Sequence, residues 1–170
     1  NVGDSKIKGA ELEIRAVPSD HLSLNFAIGY TDAKFKRFIT YDPITATYID
    51  VSSQRGFQNT PEFTVSFAPV LSADIAGGKL SLAPSVSMRS DSQQFEINNP
   101  LLDQDGYVLV DASINWTSGD GRFSLGLHGR NLTDEAYKIG GYSFPGALFG
   151  NSVIAFYGPP RTVTVSAGFN

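Results

Sequence analysis

Glu11 and Glu13 stand two residues apart, the spacing at which a strand points both side chains to one face, and paired carboxylates are the raw material of general acid–base chemistry. The sequence gives the pair nothing to work with. His21 and His128 fall at different heights or faces, and neither a Ser-His-Asp set nor a metal-ligand spacing occurs. Asp103-Gln-Asp-Gly106 starts like a calcium loop but lacks the downstream glutamate, so it reads as a turn. Asn131-Leu-Thr133 matches a glycosylation acceptor by letters only. Without cysteine there is neither a disulfide framework nor a thiolate metal site. The expectation is a protein that is not an enzyme and carries no cofactor or metal.

Composition narrows the partners. Thirteen basic against 17 acidic residues leave a net charge of -4, which argues against a nucleic-acid footprint. The apolar runs are only a few residues long, far below the roughly 20 that a membrane-spanning helix needs. A spanning barrel stays open. The first residues, Asn1-Val-Gly-Asp-Ser-Lys6, hold no basic region followed by an apolar core, so the chain reads either as cytosolic or as one whose beginning lies upstream.

The elements that position the charged residues are legible through their period of two. The C-terminal segment sets Val163, Val165, Ala167 and Phe169 against Thr162, Thr164, Ser166 and Gly168. Six earlier segments alternate likewise. They run over residues 9–16, over 22–31, from Phe63, from Leu80 to Arg89, from Tyr107 to Trp116, and from Phe123 to Arg130. Pro84 interrupts the fourth, because proline removes a ladder donor. Connections near 17–21, 73–78 and 118–121 are tight, with Pro, Asp and Gly, whereas 32–61, 90–106 and 131–160 are long. Short turns at one end and long loops at the other describe an outer-membrane barrel. Aromatics at two heights, Tyr30 and Tyr107 against Trp116, Phe123 and Phe169, agree with two membrane interfaces.

Four motifs resemble a family. Asn1-Val-Gly-Asp-Ser-Lys-Ile-Lys-Gly-Ala-Glu-Leu-Glu13 resembles the opening of a late barrel strand in TonB-dependent outer-membrane receptors, and Gly106-Tyr-Val-Leu-Val-Asp-Ala-Ser-Ile114 resembles a later strand. Gly129-Arg-Asn-Leu-Thr-Asp-Glu-Ala-Tyr137 is similar to their "NL.D..Y" signature, and Pro160-Arg161-Thr162 to the closing "PRt". One departure is Asn170, since members commonly end on the aromatic that here is the penultimate Phe169. The resemblance implies an all-β fold, an antiparallel up-and-down transmembrane β-barrel of roughly 22 strands around a plug. Residues 1–170 would supply about seven strands from its C-terminal portion. It also implies a bacterial outer-membrane location, lipid around the wall, a TonB complex contacted through an upstream region, and uptake of a scarce nutrient, a ferric siderophore first.

Site residues follow from this picture. Glu11, Glu13, Arg15, Arg89, Asp111, Asn115, His128 and Arg130 share the polar face, and charges are tolerated toward a barrel lumen, so they are expected to face the plug. The long links carry the expected ligand contacts Arg37, Tyr41, Tyr48, Arg55, Phe95, Asn98, Tyr142, Phe144, Phe149 and Tyr157, with Phe57, Gln94 and Asn99 beside them. Two rivals remain at this stage. A small stand-alone barrel would need an eighth strand and a catalytic cluster, and a soluble β-sandwich binding module would be monomeric without detergent.

Overall fold

The computed structural model describes residues 3–170 apart from the side chain of Phe149; the Asn1-Val2 start of the first motif lies outside the described residues. The strands are β1 (Gly3–Ser19), β2 (Leu22–Asp42), β3 (Thr47–Asp50), β4 (Phe63–Phe67), β5 (Val70–Ile75), β6 (Gly78–Arg89), β7 (Tyr107–Ser118), β8 (Phe123–Arg130), β9 (Lys138–Phe144), β10 (Ser152–Tyr157) and β11 (Thr162–Phe169). One antiparallel sheet runs β1-β2-β4-β6-β7-β8-β11, with β5 continuing β4 between β2 and β6. Seven staves therefore stand side by side in chain order, as the alternation predicts.

Register carries the alternation across the whole sheet. Leu12 faces Ile28, Ile28 faces Val65, Val65 faces Met88 and Met88 faces Val108. Ile114 then faces Leu127, and Leu127 faces Val165. A one-residue slip anywhere would turn a whole strand over. The apolar face so built is open: Leu125 is 56% and Val165 75% exposed. Among the described residues the buried apolar side chains are Val51 and Leu102, both in long links. A soluble sandwich would hide one face of its sheet in a dry core; among the described residues this sheet covers no such core, which removes that reading.

Two local departures from the sequence reading have physical causes. The long links are not structureless. β2 runs on to Asp42 and folds back through β3, with Tyr41 opposite Tyr48, and residues 131–160 hold the separate β9–β10 ribbon. The segment Lys34-Phe35-Lys36-Arg37-Phe38 has no oily face to mark it, because both its faces lie beyond the apolar rows, and polarity stops reporting strand there. The turn expected near 73–78 is shorter, since Ala73, Asp74 and Ile75 belong to β5 and only Ala76 and Gly77 make the bend, both at positive φ (53° and 71°).

Pro84 finds its explanation in Pro69. Asn25 and Ala68 exchange both backbone bonds (3.3 and 2.8 Å), so the next residue, Pro69, turns its nitrogen toward β6. Phe67 faces Val86 and Leu71 faces Leu82, and continuing that register sets Pro69 opposite Pro84. The two residues without amide hydrogens thus meet each other. Pro84 still pairs with Ala112 of β7 on its other side, where the register is unbroken from Gly78 to Arg89.

Candidate functional site

The short turns gather at one end of the sheet. Trp116 there donates from its indole nitrogen to the carbonyl of Ile75 at 2.9 Å, and Phe123 packs on Phe169 at 5.2 Å. In the turn of residues 119–122, Asp120 accepts from the Ser118 hydroxyl at 2.6 Å and the Arg122 amide at 3.1 Å. Those bonds, Ser118 first, hold the Asp120 carboxyl below its usual range.

On the polar face, the eight predicted residues sit opposite small or polar neighbours. Glu11 faces Gly29, Glu13 faces Ala27 and Arg15 faces Asn25. Arg89 lies between Thr64 and Tyr107, Asp111 opposite Ser85, and Arg130 opposite Thr162. Asn115 and His128 are drawn together around Gly126. A Cβ there would stand 2.6 Å from His128 Nε2 and 3.0 Å from Asn115 Oδ1, and the His128 ring reaches Ser166 Oγ at 3.4 Å. Among the described residues none of the eight makes an ion pair; the ion pairs present are Asp32–Lys34, Arg55–Glu96, Asp120–Arg122 and Asp134–Arg161. The face therefore offers charge that the sheet itself does not neutralise.

Asp111 leads up to the long-link end. Its carboxylate accepts the amide of Asn131 at 2.7 Å, where the chain leaves β8 with φ at 49°. Asn131 is buried (4% exposed); its amide nitrogen donates to the carbonyls of Glu135 (2.9 Å) and Pro159 (3.1 Å), and its Oδ1 accepts the Glu135 amide (2.8 Å). Arg161 donates from its backbone to Asp134 at 3.1 Å and pairs with the same carboxylate at 3.4 Å. The motif residues Asn131, Asp134 and Arg161 thus tie the end of β8 to the start of β11. Tyr137 stacks on Tyr107 at 4.8 Å and leaves no room for a side chain at Gly158.

The predicted contact residues fall into separate groups. Tyr41 and Tyr48 pack edge-on at 5.5 Å at the tip of the β2–β3 hairpin. Tyr142 packs against Phe156 at 5.5 Å and Phe144 at 6.0 Å on the β9–β10 ribbon, where Tyr157 faces Lys138. Asn98 donates to Asp103 at 2.6 Å, and Phe95 is half-buried in the same link beside the buried Gln94. Asp103 also accepts the amides of Asn99 (3.0 Å) and Gln94 (3.3 Å), and Leu102 packs beneath the ribbon at Gly141, so Asp103 organises this link from within. Arg37 pairs in register with Asp4 and lies on the same sheet face as Lys6 and Lys34, away from the other candidates. The backbone of Phe149 belongs to a short helical turn, Ala147–Phe149; its side chain lies outside the described residues.

Arg55 anchors the densest group, and most of that group is absent from the sequence-based site. Phe35 stacks on Phe57 at 4.4 Å and meets Phe38 edge-on at 5.2 Å. The Arg55 guanidinium lies 5.5 Å from the centre of the Phe38 ring and 3.8 Å from Glu96. Its Nε and the Oε1 of Gln93 are buried without a hydrogen-bond partner. Phe35 and Phe38 were hidden in what reads as loop. Continuing the β2 alternation past Thr31 would have placed Phe35 on the polar face.

Comparisons with known proteins bear on this arrangement. A family model described as "TonB dependent receptor-like, beta-barrel" matches residues 1–132. Among solved structures, the chain is similar to the ferric yersiniabactin uptake receptor FyuA of Yersinia pestis, with 21% identity and a TM-score of 0.77 over 99% of this chain and 24% of that one. The siderophore receptor PiuA of Acinetobacter baumannii matches with 19% identity and a TM-score of 0.73 over 99% and 22%. The ferripyoverdine receptor of Pseudomonas aeruginosa matches with 22% identity and a TM-score of 0.64 over 97% and 19%. The chain thus spans about a quarter or less of the length of these receptors, and at such identities the likeness is one of fold.

Proposed function

Because this chain belongs to the TonB-dependent receptor family, through its β-barrel domain, we propose that residues 1–170 form the C-terminal portion of the barrel of an active-transport receptor. Proteins of this family reside in the bacterial outer membrane and are transport receptors rather than enzymes. The apolar face meets lipid and the polar face the lumen, where Glu11, Glu13, Arg15, Arg89, Asp111, Asn115, His128 and Arg130 contact a plug domain. The long-link end lies outside the cell.

The observation that carries the ligand assignment is the Phe35, Phe38, Phe57 and Arg55 cluster. Stacked aromatic faces beside a poorly satisfied guanidinium suit a ligand that is both aromatic or conjugated and anionic, such as a ferric siderophore. Tyr41, Tyr48, Phe95, Asn98, Tyr142, Phe144 and Tyr157 add contacts from neighbouring links, whereas Arg37, on the Lys6 and Lys34 face, is set apart from them. Capture by these links is followed by plug rearrangement driven through the TonB complex, with no covalent step. Radio-iron uptake by cells carrying the intact receptor tests this reading. Uptake of a ferric siderophore should require both the receptor and TonB, and Arg55→Ala with Phe38→Ala should weaken binding about tenfold, roughly 1.4 kcal/mol. Uptake that persists without TonB, or binding unchanged in the double variant, overturns it.

A further inference from the structure

Beyond the membrane-facing rows, the apolar face of β1 and β2 changes character within one step of the register. Ala10 faces Tyr30; the next rows on that face are Lys8 with Asp32, Lys6 with Lys34, and Asp4 with Arg37. Tyr30 packs on Phe63 of β4 at 5.0 Å, marking the aromatic level, and one row along a strand is about 7 Å. The first lysine therefore stands at headgroup height. Lys6, Lys8 and Lys34 are exposed, and Lys34 keeps its ammonium 2.8 Å from Asp32 while its side chain is 77% accessible. Four cations against Asp4 and Asp32 leave the patch positive, although the chain as a whole is at -4. The asymmetry is local: four of the six lysines lie in β1 and β2. At the long-link ends of β6, β7, β8 and β11 the same face carries the uncharged Ser90, Gly106, Gly129 and Val163.

We propose that Lys6, Lys8 and Lys34 seat the phosphates of a glycolipid headgroup in the external leaflet, with its acyl chains running down the rows of Ala10, Leu12, Ile28 and Phe26. The proposal rests on the assignment of the long-link end to the cell exterior. Flexible ammonium groups reach phosphate as point charges, and their stems lie along the apolar rows below, so the patch continues the lipid-facing surface.

The test uses the intact receptor, purified in detergent and offered bis-phosphorylated lipid A, its dephosphorylated form, or phosphatidylglycerol, with bound lipid read by native mass spectrometry. Lipid A should remain on the wild type and on K6R/K8R/K34R, and fall at least tenfold on K6Q/K8Q/K34Q that keeps its heat-modifiable folded band. Equal retention by the glutamine variant, or equal retention of either other lipid by the wild type, overturns the proposal. Ile44→Cys, at the β2–β3 turn and 93% exposed, separates the two assignments. Labelling of that thiol in intact cells by a membrane-impermeant reagent, with lipid A retained by the glutamine variant, overturns the lipid seat alone. Failure to label overturns the orientation on which it stands.

Discussion

Asn131 shows how much of the site is scaffold. Its side chain makes three hydrogen bonds while buried, and its backbone sits at positive φ, a region Asn adopts more easily than most residues. Asn131→Ala should therefore lower the stability of the intact barrel by about 2 kcal/mol, read from its unfolding midpoint in detergent, while leaving the β7–β8 register intact. Asp120 offers a pH counterpart at the other end. Its folded pKa lies below the unfolded value of about 3.9, so its contribution is present above that value and lost as pH falls through the lower folded one. Protection of the Arg122 and Phe123 amides, taken relative to their intrinsic exchange rates, should be constant from pH 7 to about 5 and fall below about 4. Residue chemistry was only half legible in the sequence. The polar-face charges could be read from parity alone, but Arg55 finding Phe38 and Glu96 depends on a fold-back that no spacing reveals.

At the scale of the strand, legibility follows the solvent. Seven staves could be read because oil lies on one side and polar groups on the other, and β3, β9, β10 and the upper half of β2 could not because both their faces lie past the oily rows. The same asymmetry sets the cost of a charge. Val165→Arg, on the apolar face of β11, should destabilise the intact barrel by about 2–4 kcal/mol, and Thr164→Arg, one residue away on the other face, by much less. Equilibrium folding into lipid vesicles measures the difference. The Pro69–Pro84 contact makes a sharper statement about β4, β5 and β6. Pro84→Ala restores one donor aimed at the carbonyl of Pro69, so its new amide should join the slowly exchanging class in hydrogen–deuterium exchange. A fast amide there would contradict the inferred facing of the two prolines.

The whole molecule is a meander: each stave lies beside the one before it in the chain, from β1 through to β11. The β3 and β9–β10 insertions sit outside that path at the long-link end and do not alter its order. This arrangement has a mechanical meaning. Drawn out of a membrane by its last residue, the chain has none of its own staves trapped behind a later one, so β11 leaves β8, and whichever strand closes the barrel on its other edge, before any earlier stave of this chain is disturbed. β8 and β7 should follow, joined by their tight turn, and then β6 with β5 and β4. The force record should show sawtooth peaks in reverse sequence order, each releasing at most about 3.6 Å of length per residue. A first rupture that includes β1 or β2 would mean that the staves are tied together by something other than their neighbours.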